Sequence, residues 1–189
     1  AKLERPGHRC DRRLGDAMRK TIKLLVAIVV LSFTVAAQKS DDRSAALGVV
    51  SKLFDEMAAA NPQGIIDLHT GPESQLAGIR KMKDGKIRLD MIGRDAFSKF
   101  FTDKSAVIRE TMYAPKVEVD GDWAMVWGRY VFWVSGNVSH CGIDQFNLVR
   151  TEAGWKIANG ASTIDPGGCT KKEKAMKPGG SSLSKEKSK

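Results

Sequence analysis

The chain has 189 residues, of which 42% are apolar, 28% charged and 7% aromatic, enough for one domain with a real core. Four Trp and seven Phe exclude disorder throughout, and three Cys exclude a disulfide-dense miniprotein. The formal charge of +9 invites a nucleic-acid reading, but it divides unevenly: residues 1–37 and residues 170–189 each carry +5, and residues 38–169 carry −1.

Residues 1–17 are polar and Arg-rich and read as an upstream extension from a mis-set start. Met18, Arg19, Lys20 and Lys23 precede the unbroken apolar run Leu24–Leu31, and Val35-Ala36-Ala37 offers small residues for a cut. Residues 18–37 therefore read as a signal peptide. The apolar stretch is about 14 residues, short of the ~20 that span a bilayer. The expected address is periplasmic or extracellular, with an uncleaved N-terminal anchor as the alternative and no stable membrane insertion after cleavage. Export leaves Cys141 and Cys169 as an even pair in an oxidising compartment, and a disulfide between them is expected, with two buried thiols as the alternative. There is no CxxC, HxxxH or HExxH, no Gly-rich phosphate loop and no G-x-S-x-G, so no metal site and no cofactor is expected.

The domain is expected over 38–169. Asp42–Ala60 has apolar residues at 46, 47, 50, 53, 54 and 57, a helical period, and Asn61-Pro62 ends it. Gly64–Gln75 is ambiguous, and His69 within it reads as solvated. Asp84-Gly85 marks a hairpin between short strands Gly78–Met82 and Ile87–Met91. Asp95–Phe101 reads as a second helix with Phe97, Phe100 and Phe101 on one side. Val117–Val119 enters a strand. Then come three long β-rich segments, Trp123–Val134, Val138–Arg150 and Trp155–Ile164. Helices first and a meander last predict an α+β fold with helices on one face of a curved sheet.

Pairing Arg150 with Trp155 places Leu148 against Ile157, Phe146 against Asn159, Asp144 against Ala161 and His140 against Asp165. Opposed side chains share a face. That face runs from apolar to polar, as small-molecule pockets do. A three-residue turn Ser135-Gly136-Asn137 adds Ala124, Val126, Gly128, Tyr130 and Phe132 to it, with Gly128 leaving room beside Asp144. The alternative register puts Arg129 opposite Asp144 as a salt bridge. The expected pocket is Tyr130, Phe132, His140, Asp144, Phe146, Asn159 and Thr163. Asp144, His140, Asp165 and Tyr130 are the candidates for acid/base chemistry: a buried Asp144 would be raised towards neutrality, and Asp165 would fix the imidazole of His140. Asp90 is the only spare second carboxylate.

VDGDWAMVWGRYVFW (119–133), HCGIDQFNLVRTEAGWKI (140–157) and the closing Cys169 resemble the nuclear transport factor 2-like superfamily. More narrowly, they are similar to small exported bacterial proteins grouped as lumazine-binding or SnoaL-like domains. The resemblance covers most of residues 42–169. It implies a cone-shaped, strongly curved antiparallel sheet wrapped around N-terminal helices, a cystatin-like roll, with a cavity at one end and homodimerisation through the outer sheet face. It supplies no activity, because the scaffold hosts isomerases, dehydratases, cyclases, adaptors and binding modules. The reading that follows is an exported domain binding a small, mostly apolar molecule in the cone and leaning away from catalysis. The alternatives are an acid/base enzyme of isomerase or dehydratase type, and a structural or interaction module using the sheet face. Nucleic acid is not an expected partner, given the acidic domain. Residues 170–189, with Pro-Gly-Gly and seven Lys, are expected to be a disordered tail.

Overall fold

The computed structural model describes residues 41–178 and 183–184. The readings for the upstream extension, the signal peptide and the last residues of the tail lie outside them.

Helix α1 covers residues 41–58. Its buried positions, Ala46, Val50, Leu53, Phe54 and Met57, recur at helical spacing and form one apolar stripe. Ala60 takes a left-handed φ of 51° and ends the helix. Pro62 does not only stop α1: it opens a short helix α2 (Pro62–Asp67), whose Gly64 N–H donates to the Asn61 side chain. His69 follows, and it is not solvated. It is 4% exposed, and its Nδ1 lies 2.8 Å from the Ile65 carbonyl oxygen.

Strands β1 (Gln75–Lys81) and β2 (Ile87–Gly93) form the expected hairpin, with Gly85 at φ 82° in its turn. Helix α3 (Arg94–Ser98) continues as a 3-10 turn, Lys99–Phe101. Strands β3 (Ile108–Asp120), β4 (Trp123–Val134), β5 (Asn137–Thr151) and β6 (Gly154–Ile164) make the meander. Strand β3 is far longer than the 117–119 entry read from the sequence, because Ala114 at φ 43° and Pro115 kink it without ending it. The turn before β5 is two residues, Ser135 and Gly136, both at positive φ, not three. The sheet is mixed. Strand β1 joins β6 in parallel, while the hairpin and the meander are antiparallel.

Besides the kink in β3, which turns Glu110 and Met112 to the same face as Val117 and Val119, two bulges decide which side chains face inwards. Beyond the β4–β5 turn, Ser139 has no partner, and from Phe132↔His140 to Ala124↔Leu148 the register is the one that puts Tyr130 and Phe132 inside. Between β5 and β6, Leu148↔Ile157 and Arg150↔Trp155 hold as read, but Ala158 is extra. The register therefore slips by one beyond it. Phe146 opposes Gly160, and Asp144 opposes Ser162. A one-residue slip exchanges the faces. Asn159 and Thr163 thus point outwards, against expectation, and Gly160, Ser162 and Ile164 take the inner face.

The inner face of the sheet closes on α1 through Val126, Phe146, Leu148, Ile157 and the α1 stripe, with Phe54 edge-on to Phe146 at 6.1 Å. A second, smaller cluster lies on the outer face, where Val131, Trp133, Cys141 and Cys169 pack with Tyr113, Val138 and Met176. Cys141 and Cys169 are joined by a disulfide. The tail is not featureless. Thr170 and Glu173 form a capping box at the start of α4 (Lys171–Lys174), and the two-residue strand β7 (Leu183–Ser184) pairs with Met112–Tyr113. The order across the sheet is β2-β1-β6-β5-β4-β3-β7. No helix among the described residues is long and apolar enough to cross a membrane.

Candidate functional site

Between the inner sheet face and the helices lies an open cavity of about 650 Å³. Leu53, Phe54 and Met57 of α1 form one wall. Phe97, Phe100 and Phe101 form another, and Ile108, Phe132, Phe146 and Ile164 line the sheet side. Among these apolar surfaces stand a few polar groups: Arg80, Arg88 and Asp90 from the hairpin, and Glu110, Tyr130, His140, Asp144 and Ser162 from the meander. An apolar cleft with a small set of convergent polar groups is the usual form of a small-molecule site.

Glu110 is the residue that sequence reasoning missed. It faces inwards from β3, opposite Phe132, and is 9% exposed. Asp144 is 1% exposed and lies in hydrogen-bonding reach of Glu110 and Ser162. Burial pushes the Asp144 carboxyl up to about 6, with the hydrogen bonds from Glu110 and Ser162 opposing it. Burial raises Glu110 well above the carboxylate range, and the neighbouring Asp144 charge adds to the rise. Two carboxyls this close share one proton. That proton belongs to the pair, with burial raising both carboxyls. Asp144 Oδ2 has no hydrogen-bond partner among the described residues. Asp90 also lines the cavity, as a hairpin residue bonded to the Arg88 guanidinium at 2.8 and 2.9 Å.

The remaining candidates divide. The Tyr130 hydroxyl donates to the Thr163 carbonyl oxygen at 2.8 Å. Burial raises its pKa further above the phenol range, and the Asp144 and Glu110 charges add to that. Tyr130 is thus spent on the fold. Gly128 does not leave room beside Asp144, since a Cβ there would meet Met112 at 2.8 Å. His140 faces inwards and stacks on Phe132 with ring centroids 4.8 Å apart. Burial and the Arg80 charge hold His140 down at about 4, so its ring is neutral at pH 7. The His140–Asp165 dyad does not form, because the second bulge moves Asp165 opposite Cys141. Asp165 instead accepts from the Gly167 N–H at 2.9 Å and pairs with Lys81 at 3.8 Å. Asn159 accepts from Asn147 Nδ2 at 2.7 Å on the outer face. The Thr163 side chain accepts from the Ile143 N–H at 2.8 Å.

Arg129 is neither a partner of Asp144 nor an anchor for a ligand. It lies on the outer face, bonded bidentately to Glu173 and to the Gly168 carbonyl oxygen at 2.7 Å. Arg129 holds Glu173 down at about 2. No group of His, Cys, Asp and Glu among the described residues has the arrangement of a metal site.

No family model matches the sequence, and no curated protein matches it. Solved structures do match. A nuclear transport factor 2-like protein with a cystatin-like fold from Novosphingobium aromaticivorans shares 14% identity at a TM-score of 0.59, over 76% of this chain and 95% of that one. The beta subunit of a candidate aromatic-ring-hydroxylating dioxygenase from the same organism shares 11% at 0.54, over 69% and 92%. A candidate dehydratase of the nuclear transport factor 2-like family from Streptomyces avermitilis shares 14% at 0.51, over 67% and 97%. Identities this low show the fold alone. The chain has the nuclear transport factor 2-like, cystatin-like α+β fold.

Proposed function

We propose that this is an exported binding protein that holds a small, mostly apolar molecule in the cone. The observation that carries the reading is the open cavity of about 650 Å³ walled by phenylalanines from both the helices and the sheet. A cone filled by its own side chains would have spoken for the structural alternative. The polar groups are mostly committed to the fold, Tyr130 to Thr163 and Arg88 to Asp90, as suits a container. Asp144 lines the cavity and is the carboxylate placed to meet a ligand hydroxyl or N–H.

The disulfide supports an oxidising address, periplasmic or extracellular. The grouping with lumazine-binding or SnoaL-like domains is part of the same proposal and rests on the 140–157 motif. So is a homodimer, for which the exposed Ile87, Leu89 and Met91 on the outer face of the edge hairpin offer an apolar surface. Native mass spectrometry tests the reading. A discrete ligand adduct is expected on the wild type and not on Ser162→Phe, which places a ring inside the cavity.

One observation favours a second reading, an acid/base enzyme. Glu110 and Asp144 set a proton donor beside a proton acceptor at an apolar cavity. Such a pair would exchange the protons next to a ketone. Deuterium uptake into the methyl group of 2-acetylnaphthalene, lost in Asp144→Asn, is the expected sign. Uptake no faster than in buffer alone rules that reading out.

A further inference from the structure

We infer that the molecule held in the cone is an organic acid, with its carboxylate on Arg80 and its apolar body against the phenylalanine wall. The inference rests on the binding reading above and adds the ligand's charge. Strand β1 turns Leu76, Gly78 and Arg80 to the inner face, and Arg80 lies directly across from Arg88 on β2. Two guanidinium groups thus share the rim on neighbouring strands. Arg88 is held by Asp90 through Nε and Nη2. Arg80 is half-buried, yet its guanidinium has no hydrogen bond or ion pair with any described residue.

The carboxylates that line the cavity are already engaged: Glu110 and Asp144 hold each other, and Asp90 holds Arg88. Arg80 lines the cavity together with His140 and Tyr130. The cavity is therefore polarised, with one uncommitted positive charge at its rim and one negative charge on the Glu110–Asp144 pair. The planar fork of a guanidinium matches a carboxylate in bidentate fashion. Among the described residues that line the cavity, Arg80 is the cation left over, which fits a monoanion, since Asp90 neutralises Arg88. The neutral imidazole of His140, stacked on Phe132, leaves the face beside Arg80 flat and aromatic.

The test titrates the full-length, oxidised protein with two fluorescent probes of the same size, 2-naphthoate and 2-naphthol, at neutral pH. The expected result is naphthoate binding at least about tenfold tighter than naphthol. In Arg80→Gln the naphthoate advantage disappears while naphthol affinity is unchanged. Arg80→Lys, which keeps the charge and loses the fork, recovers part of it, so a misfolded Gln variant cannot be mistaken for support. Equal affinities in the wild type, or naphthoate binding that ignores Arg80→Gln, overturn the inference. In that case saturable naphthol binding leaves the cavity reading standing. Failure of both probes to bind overturns both.

Discussion

Asp144 is the residue on which the site turns. Its pKa is 3.8 in its ordinary setting and about 6 when folded, so across that window the native state holds a proton that the unfolded chain has released. Stability therefore falls as pH rises from about 4 to 6, by an amount on the order of 2–3 kcal/mol. Asp144→Asn removes that loss. It should melt higher than the wild type above pH 6 and no higher near pH 4, in thermal scans over the range. His140 works in the opposite direction: its folded pKa is depressed, so its stability contribution is lost as pH falls below 6.5. That effect is common to both proteins and cancels in the difference. Identical pH profiles for the two would mean that Asp144 is not held against its charge. At this scale the sequence was half legible. Alternation could place Asp144 and Phe146 on one face, but Tyr130 and Phe132 joined them only through the preferred register, which the bulge at Ser139 supplies and not the expected three-residue turn. Glu110 could not be placed, because Ala114 and Pro115 interrupt the alternation of β3 just after it, and the run from Ile108 did not read as a strand.

Elements that obey a simple period were legible, and those that depend on one inserted residue were not. The α1 stripe from Ala46 to Met57 and the Asp84-Gly85 turn carry their own signals. The bulge at Ala158 carries none. Small, adaptable residues surround it, so nothing in the pattern marks the extra position, yet it exchanges the faces of Asn159, Gly160, Ser162 and Thr163. The C-terminal segment failed for a different reason. Its lysines suggested solvent, while Thr170 and Glu173 already stood at capping-box spacing, the signal that would have found α4. That segment is fastened to the outer sheet face twice, by Glu173 on Arg129 and by Cys169 on Cys141. The disulfide closes a loop of 28 residues, for which chain entropy gives about 3–4 kcal/mol. Cys141→Ser is accordingly expected to lower the denaturation midpoint of the oxidised protein, and reductant to lower that of the wild type to match. Wild-type unfolding curves that coincide with and without reductant would show that the bond contributes nothing.

For the whole molecule, a sheet with three register shifts presents an inner face that the helices cover only in part, and the uncovered part is the cavity. Its architecture was legible because helices precede a meander and the 119–157 motifs resemble a known superfamily. Its contents were not, since a fold of this kind does not fix what it holds. The parallel joint between β1 and β6 was also hidden, because no local pattern reports which distant strand a hairpin will join. That joint is what brings Arg80 over the cavity and next to Ile164. The central claim is that the cavity is occupied in use. The most direct measurement is native mass spectrometry of the oxidised, full-length protein beside Ser162→Phe, both gently desolvated and then denatured. A small-molecule adduct on the wild type, released on denaturation and absent from the variant, is the expected result, and the same spectrum reports whether the species is a dimer. A bare mass for both proteins would contradict the claim and return the weight to an interaction module that works through its outer face.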